Sequence, residues 1–166
     1  MGLFRYLMHW WIGLRGAATA FPLSVRDTIE REIGIAEDTH QGEICFAVQA
    51  ALGFPPLWRG VTSQQCAMRA FASLGVWDTA ANNGVLIYVL LADRAVEIIA
   101  DRGIAAMIPS GEWQSLCNLV QERFRVGEFE AGAVLAVRGV AERLARHFPT
   151  EGQQQDNELP NQPILL

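Results

Sequence analysis

The chain has 166 residues, 51% hydrophobic and 19% charged, with a formal net charge of -5. That length suits one domain with a sizeable core rather than two, and the acidic balance excludes the phosphate attraction on which nucleic-acid binders rely. Cys45, Cys66 and Cys117 are far apart, form no CxxC pair and lie in apolar runs, so they read as reduced core residues. With only His9, His40 and His147 to help them, a structural zinc site is not expected.

The first segment, residues 1–21, is aromatic and apolar. Its opening stretch MGLFRYLMHWWIGLRG is interrupted by Arg5, His9 and Arg15, so it lacks the run of about 20 apolar residues that spans a bilayer. It also lacks the clean apolar stretch of a secretory signal, although Gly16, Ala17, Ala18 and Ala20 resemble a cleavage site. Two readings stay open. Tyr6, Trp10 and Trp11 with Arg5 and Arg15 suit a peripheral membrane contact through residues 1–16; alternatively, the segment packs on the domain or on a second copy. The expected location is cytoplasmic, with membrane association under the first reading.

Ser24 with Asp27 makes a capping box, and Val25, Ile29, Ile33 and Ala36 recur at helical spacing, predicting a helix from Ser24 to Asp38. Glu43 to Ala50 (EICFAVQA) predicts a first strand. Gly53, Pro55, Pro56 and Gly60 predict a surface loop carrying Trp58 and Arg59. Trp58 there is either a lid folded on the core, the favoured reading, or a protein contact. Thr62 with Gln65 opens a second helix that ends at Gly75. After the turn residues Asn82, Asn83 and Gly84, Val85 to Ala92 is unbroken and apolar, as in a central strand covered on both faces. Ala95 to Asp101 returns antiparallel and Gly103 ends it. Ser110 is placed to cap a helix striped by Trp113, Leu116, Cys117, Val120 and Phe124, and a last helix buries Phe129, Ala133, Ala136, Val137, Val140 and Leu144. Thr150 to Leu166, rich in Gln, Asn, Pro and Glu, reads as a disordered tail.

This order predicts an α/β fold, a three-layer α/β/α sandwich of Rossmann-like type, with a small mixed sheet and helices on both faces over residues 22–149. If the first two strands run parallel and the third returns, Glu43, Asn83 and Asp101 share one end of the sheet. The end of the first helix, with Glu37, Asp38 and His40, and the loop carrying Asp78 arrive there too.

HQGEICFAV from His40 to Val48 and WDTAANNGVLIYVLLADRAVEIIADRGI from Trp77 to Ile104 resemble the TPM domain family, a likeness covering His40 to Phe148. The resemblance implies a Rossmann-like α/β/α sandwich. Some relatives are described as acid phosphatases, some bind calcium, and others are assembly or repair partners of membrane complexes. The chain differs from better-described members in having no convincing secretory signal, no C-terminal transmembrane helix, and Asp101-Arg102-Gly103 where many relatives carry a glycine-aromatic-glycine turn.

The acidic end is the main candidate site. Glu43, Asp78 and Asp101 would supply carboxylates to a divalent cation, calcium or magnesium, and Asn82 and Asn83 amide oxygens; the competing reading makes them turn formers and strand caps. His40 is either an acid-base group or a helix cap. Arg102 would face a phosphate, or else pair on the surface. No Gly-rich phosphate loop, Cys-x5-Arg or GxSxG element is present, so a metal-dependent phosphatase rests mainly on the resemblance. The preferred expectation is a non-catalytic module binding a cation, a small ligand or a protein partner.

Overall fold

The structure, a computed structural model, describes residues 3–150 and 157–166. Its sheet has strands β1 (Glu43–Gln49), β2 (Gly84–Leu90), β3 (Ala95–Ala100) and β4 (Ile164–Leu165), in the order β3-β2-β1-β4. The helices are α1 (Leu3–Arg15), α2 (Ala17–Ala20), α3 (Leu23–Glu37), α4 (Phe54–Trp58), α5 (Ser63–Ser73), α6 (Arg102–Ala105), α7 (Ser110–Arg125) and α8 (Phe129–His147).

Alternation along the strands divides the core between the two sheet faces. Ile44, Phe46 and Val48 of β1, with Val85, Ile87 and Val89 of β2, meet α3, α7 and α8. The alternate residues Cys45, Ala47, Leu86, Tyr88 and Leu90 meet Leu57 of α4 and Cys66, Ala67 and Ala70 of α5. This is the expected α/β/α sandwich. β1 and β2 are parallel, from Glu43 opposite Gly84 to Gln49 opposite Leu90, and β3 is antiparallel, from Val85 opposite Ala100 to Leu90 opposite Ala95. All three cysteines are buried free thiols.

Several local expectations are corrected. The Thr62 capping box forms as read, but α3 starts at Leu23 on Pro22 without a side-chain cap, and α7 starts on Pro109, with Ser110 already inside. The Gly53–Gly60 loop contains α4, whose prolines sit at its first positions, where a missing N–H costs nothing. Trp58 is 70% exposed and not a lid. β2 ends at Leu90, and Leu91–Asp93 forms a 3-10 turn into the hairpin.

The C-terminal tail is also corrected. The expected disorder covers residues 150–166, of which 151–156 lie outside the described residues. Beyond them β4 pairs parallel with β1, Ala47 opposite Ile164 and Val48 opposite Leu165. Leu166 N donates to Val48 O at 2.9 Å, and Leu159 is buried in the α4/α5 face. An apolar PILL ending thus finds a strand edge more than a hundred residues away, a gain that local composition does not register.

The aromatic N-terminal segment packs on its own domain. Arg5 Nε and Nη2 donate to Asp93 Oδ1 and Oδ2 at 2.8 and 2.7 Å. Leu52 N donates to His9 Nδ1 at 2.9 Å, which leaves the proton on Nε2, 3.0 Å from Asp93 Oδ1. Burial alone would raise the Asp93 pKa, but the hydrogen bonds from His9 and Arg5, with the Arg5 charge, outweigh it and hold the carboxyl well below the usual range. Asp93→Ala is expected to lower the unfolding free energy by about 2 kcal/mol in urea denaturation, below the cost of breaking a fully buried pair because Arg5 and Asp93 keep some solvent contact.

Candidate functional site

The site is built where three strand ends meet. Glu43 opens β1 and its amide donates to Asn83 O at 3.1 Å; Gly84 opens β2 and its carbonyl accepts from Asp101 N at 2.8 Å. The expected grouping of Glu43, Asn83 and Asp101 at one sheet end therefore holds for the backbone. The turn from Gly75 to Asn83 closes over them, using positive φ at Gly75 (69°) and Asn82 (52°). It lies so close that a Cβ on Gly84 would sit 2.0 Å from Val76 O, and one on Gly103 would sit 2.6 Å from Asn82 O.

The side chains separate more than the backbone does. Asp101 is buried and caps α6, its Oδ1 accepting from Arg102 N at 2.7 Å, while its buried Oδ2 has no hydrogen-bond partner. Asn83 is also buried: its Nδ2 donates to Gln41 O, and its Oδ1 has no partner. Glu43 is engaged elsewhere, its Oε2 accepting from Leu159 N at 3.4 Å; burial pushes its pKa up, against the pull of the Leu159 and Glu158 amides. Asp78 and Arg102 are exposed, and Asn82 is half-buried. Among the described residues no group of three or more His, Cys, Asp or Glu side chains is placed to hold a metal ion. Glu43, Asp78 and Asp101 do not form a joint carboxylate ligand set.

His40 is buried, and its Nδ1 accepts from Gly42 N at 3.2 Å. Burial lowers its pKa to about 4, so near neutral pH it is an uncharged brace of the turn into β1. The backbone bridge between His40 and Pro149 ties that turn to the end of α8.

Two further carboxylates belong to this end. Glu37, at the end of α3, accepts from Ile44 N at 3.4 Å. Burial first, and the neighbouring Glu43 charge, raise its pKa to about 7, against the hydrogen bonds from Ile44 and Asn161. The Glu158 carboxylate accepts from Ala80 N at 3.1 and 3.2 Å, so the C-terminal segment reaches the turn over the site. The end of the first helix pointed to Glu37 in the sequence; nothing local pointed to Glu158, which sits in polar, aperiodic chain.

Because the folded-state pKa of Glu37 lies above its ordinary value, its contribution to stability is complete below about pH 4.5 and is lost as pH rises through about 7. Glu37→Gln, which keeps an acceptor for Ile44 N, is expected to melt with wild type at pH 4 and above it at pH 8. Scanning calorimetry at the two pH values reads the difference, and equal increments at both would contradict it.

A family model of the TPM domain matches residues 17–143. No curated protein matches the chain. Among solved structures, the NMR structure of BA42 protein from the psychrophilic bacterium Bizionia argentinensis is similar over 85% of this chain and 92% of its own, with 29% sequence identity and a TM-score of 0.73. The matched span runs from α2 into α8 and contains every strand but β4 and every acidic-end residue except Glu158. The chain belongs to the TPM domain family.

Proposed function

We propose that this TPM domain is a non-catalytic binding module that takes a hard divalent cation, calcium or magnesium, with Asp101 Oδ2 and Asn83 Oδ1 as its first oxygens. The supporting observation is that pair of buried acceptors without donors, on strand ends joined through the Asp101 N to Gly84 O bond. A buried acceptor left unpaired is costly, and a cation with oxygen preference satisfies both. Turn carbonyls and water would complete the shell. α3 and α5 end at the same side, and helix C-termini favour positive charge. With one buried carboxylate, affinity would sit at the weak end of calcium-module behaviour.

The phosphatase alternative has less support. Glu43 and Glu37 are engaged with backbone amides, His40 with the Gly42 amide, and Arg102 points its chemistry to solvent. A metal-bound water would have to supply the nucleophile.

Calorimetric titration with calcium, magnesium and manganese tests the proposal. Wild type is expected to bind at least one of them with a matching rise in Tm, worth about 2.7 kcal/mol at 100 times Kd. Asp101→Asn should weaken binding on the order of tenfold or more by removing the ligand charge. The proposal fails if no ion binds at millimolar concentration, or if Asp101→Asn titrates like wild type. Metal-dependent hydrolysis of a generic phosphate ester, abolished by the same substitution in a folded protein, would transfer the site to the phosphatase reading.

A further inference from the structure

The opposite end of the sheet carries an unpartnered aromatic surface. With Arg5 and His9 turned inward to Asp93, α1 presents Phe4, Leu7, Trp10, Trp11 and Leu14 outward, between 49% and 74% exposed. Their spacing follows one side of a helix. α4 continues the surface: Tyr6 and Phe54 have ring centroids 6.5 Å apart, Phe54 and Trp58 5.6 Å, and Phe54 and Trp58 are 63% and 70% exposed. Apolar surface of this extent marks an interaction site.

Charge selects the occupant. The protein is acidic overall, yet α1 and α4, which supply this surface, contain no Asp or Glu, and Arg5, Arg15 and Arg59 lie within them or directly after. The acid beneath them, Asp93, is already paired with Arg5 and His9. The Arg15 guanidinium lies 4.5 Å from the Trp11 ring centroid, and a pocket of about 340 Å³ lined by Met8, Trp11 and Ile12 has Arg15 and Arg94 among its walls. A second copy docking through the same surface would set arginine against arginine. An anionic lipid surface instead meets tryptophan at headgroup level and arginine at phosphate.

We propose that α1 and α4 dock this domain onto the face of an anionic bilayer, with α1 in the interfacial plane. No helix among the described residues is long and apolar enough to cross a membrane. At 13 residues, α1 spans about 20 Å, short of the ~30 Å hydrocarbon core. Arg15 and Arg94 would lie against lipid phosphates, and the pocket beside Trp11 would receive part of an acyl chain.

The test is co-sedimentation of the full chain with phosphatidylcholine vesicles, with and without phosphatidylglycerol. Binding is expected to need the anionic lipid, to weaken with added salt and to blue-shift tryptophan emission. Trp10→Glu and Leu14→Glu should each abolish it, and Arg15→Gln should lower partitioning about fivefold, the equivalent of ~1 kcal/mol per basic residue near an anionic surface. Ile35→Glu, on exposed α3 surface, should bind like wild type. Thermal unfolding confirms that each variant is folded, since none of these side chains joins the Asp93 network. The proposal is overturned if folded wild type binds neither vesicle, if Trp10→Glu and Leu14→Glu bind as wild type does, or if the surface mediates a dimer that these substitutions dissolve without any vesicle binding.

Discussion

Position 84 admits no side chain, and the acidic end is organised around that constraint. A Cβ there would meet Val76 O at 2.0 Å, a distance no relaxation of a side chain can relieve because the obstacle is backbone. Keeping glycine lets the turn after α5 lie directly on the first residue of β2. The same residue pairs with Glu43 in β1 and accepts from Asp101 N, so the three parts of the site take their positions from one backbone unit. Gly103 repeats the device on the other side of the turn, approaching Asn82 O.

The strand directions, the Thr62 capping box, both faces of the sandwich and the grouping of Glu43, Asn83 and Asp101 were legible in the sequence, because periodicity and turn chemistry are local signals. What escaped was long-range. Arg5 and His9 find Asp93 at separations of 88 and 84 residues, and a two-residue strand is too short to show alternation. At the site, counting carboxylates gave Glu43, Asp78 and Asp101 equal standing. Only hydrogen-bond partners distinguish them: Glu43 is occupied by the C-terminal segment, Asp78 is exposed, and Asp101 keeps an unpaired oxygen. Leu159, which occupies Glu43, lies far along the chain, beyond the reach of any local signal.

Charge is divided along the strand axis. Glu37, Glu43, Asp101 and Glu158 gather where β1 and β2 begin, and arginine with aromatic surface gathers where they end. A domain held to an anionic surface by its arginine end would turn the end carrying Asp101 and Glu43 outward, away from the negative lipid potential that repels carboxylates.

The short pairing of β4 also changes the status of β1. Without it, β1 would be an edge strand of apolar composition, Ile44, Cys45, Phe46, Ala47 and Val48, with free amides and carbonyls along one side, the kind of edge that recruits strands from other chains. β3, at the opposite edge, carries the charged Glu97 and contacts Ser63 through it. By pairing with Ala47 and Val48, β4 closes that part of the edge to other chains; a chain cut before β4 would lay it open, and the cleaved protein is the one expected to aggregate.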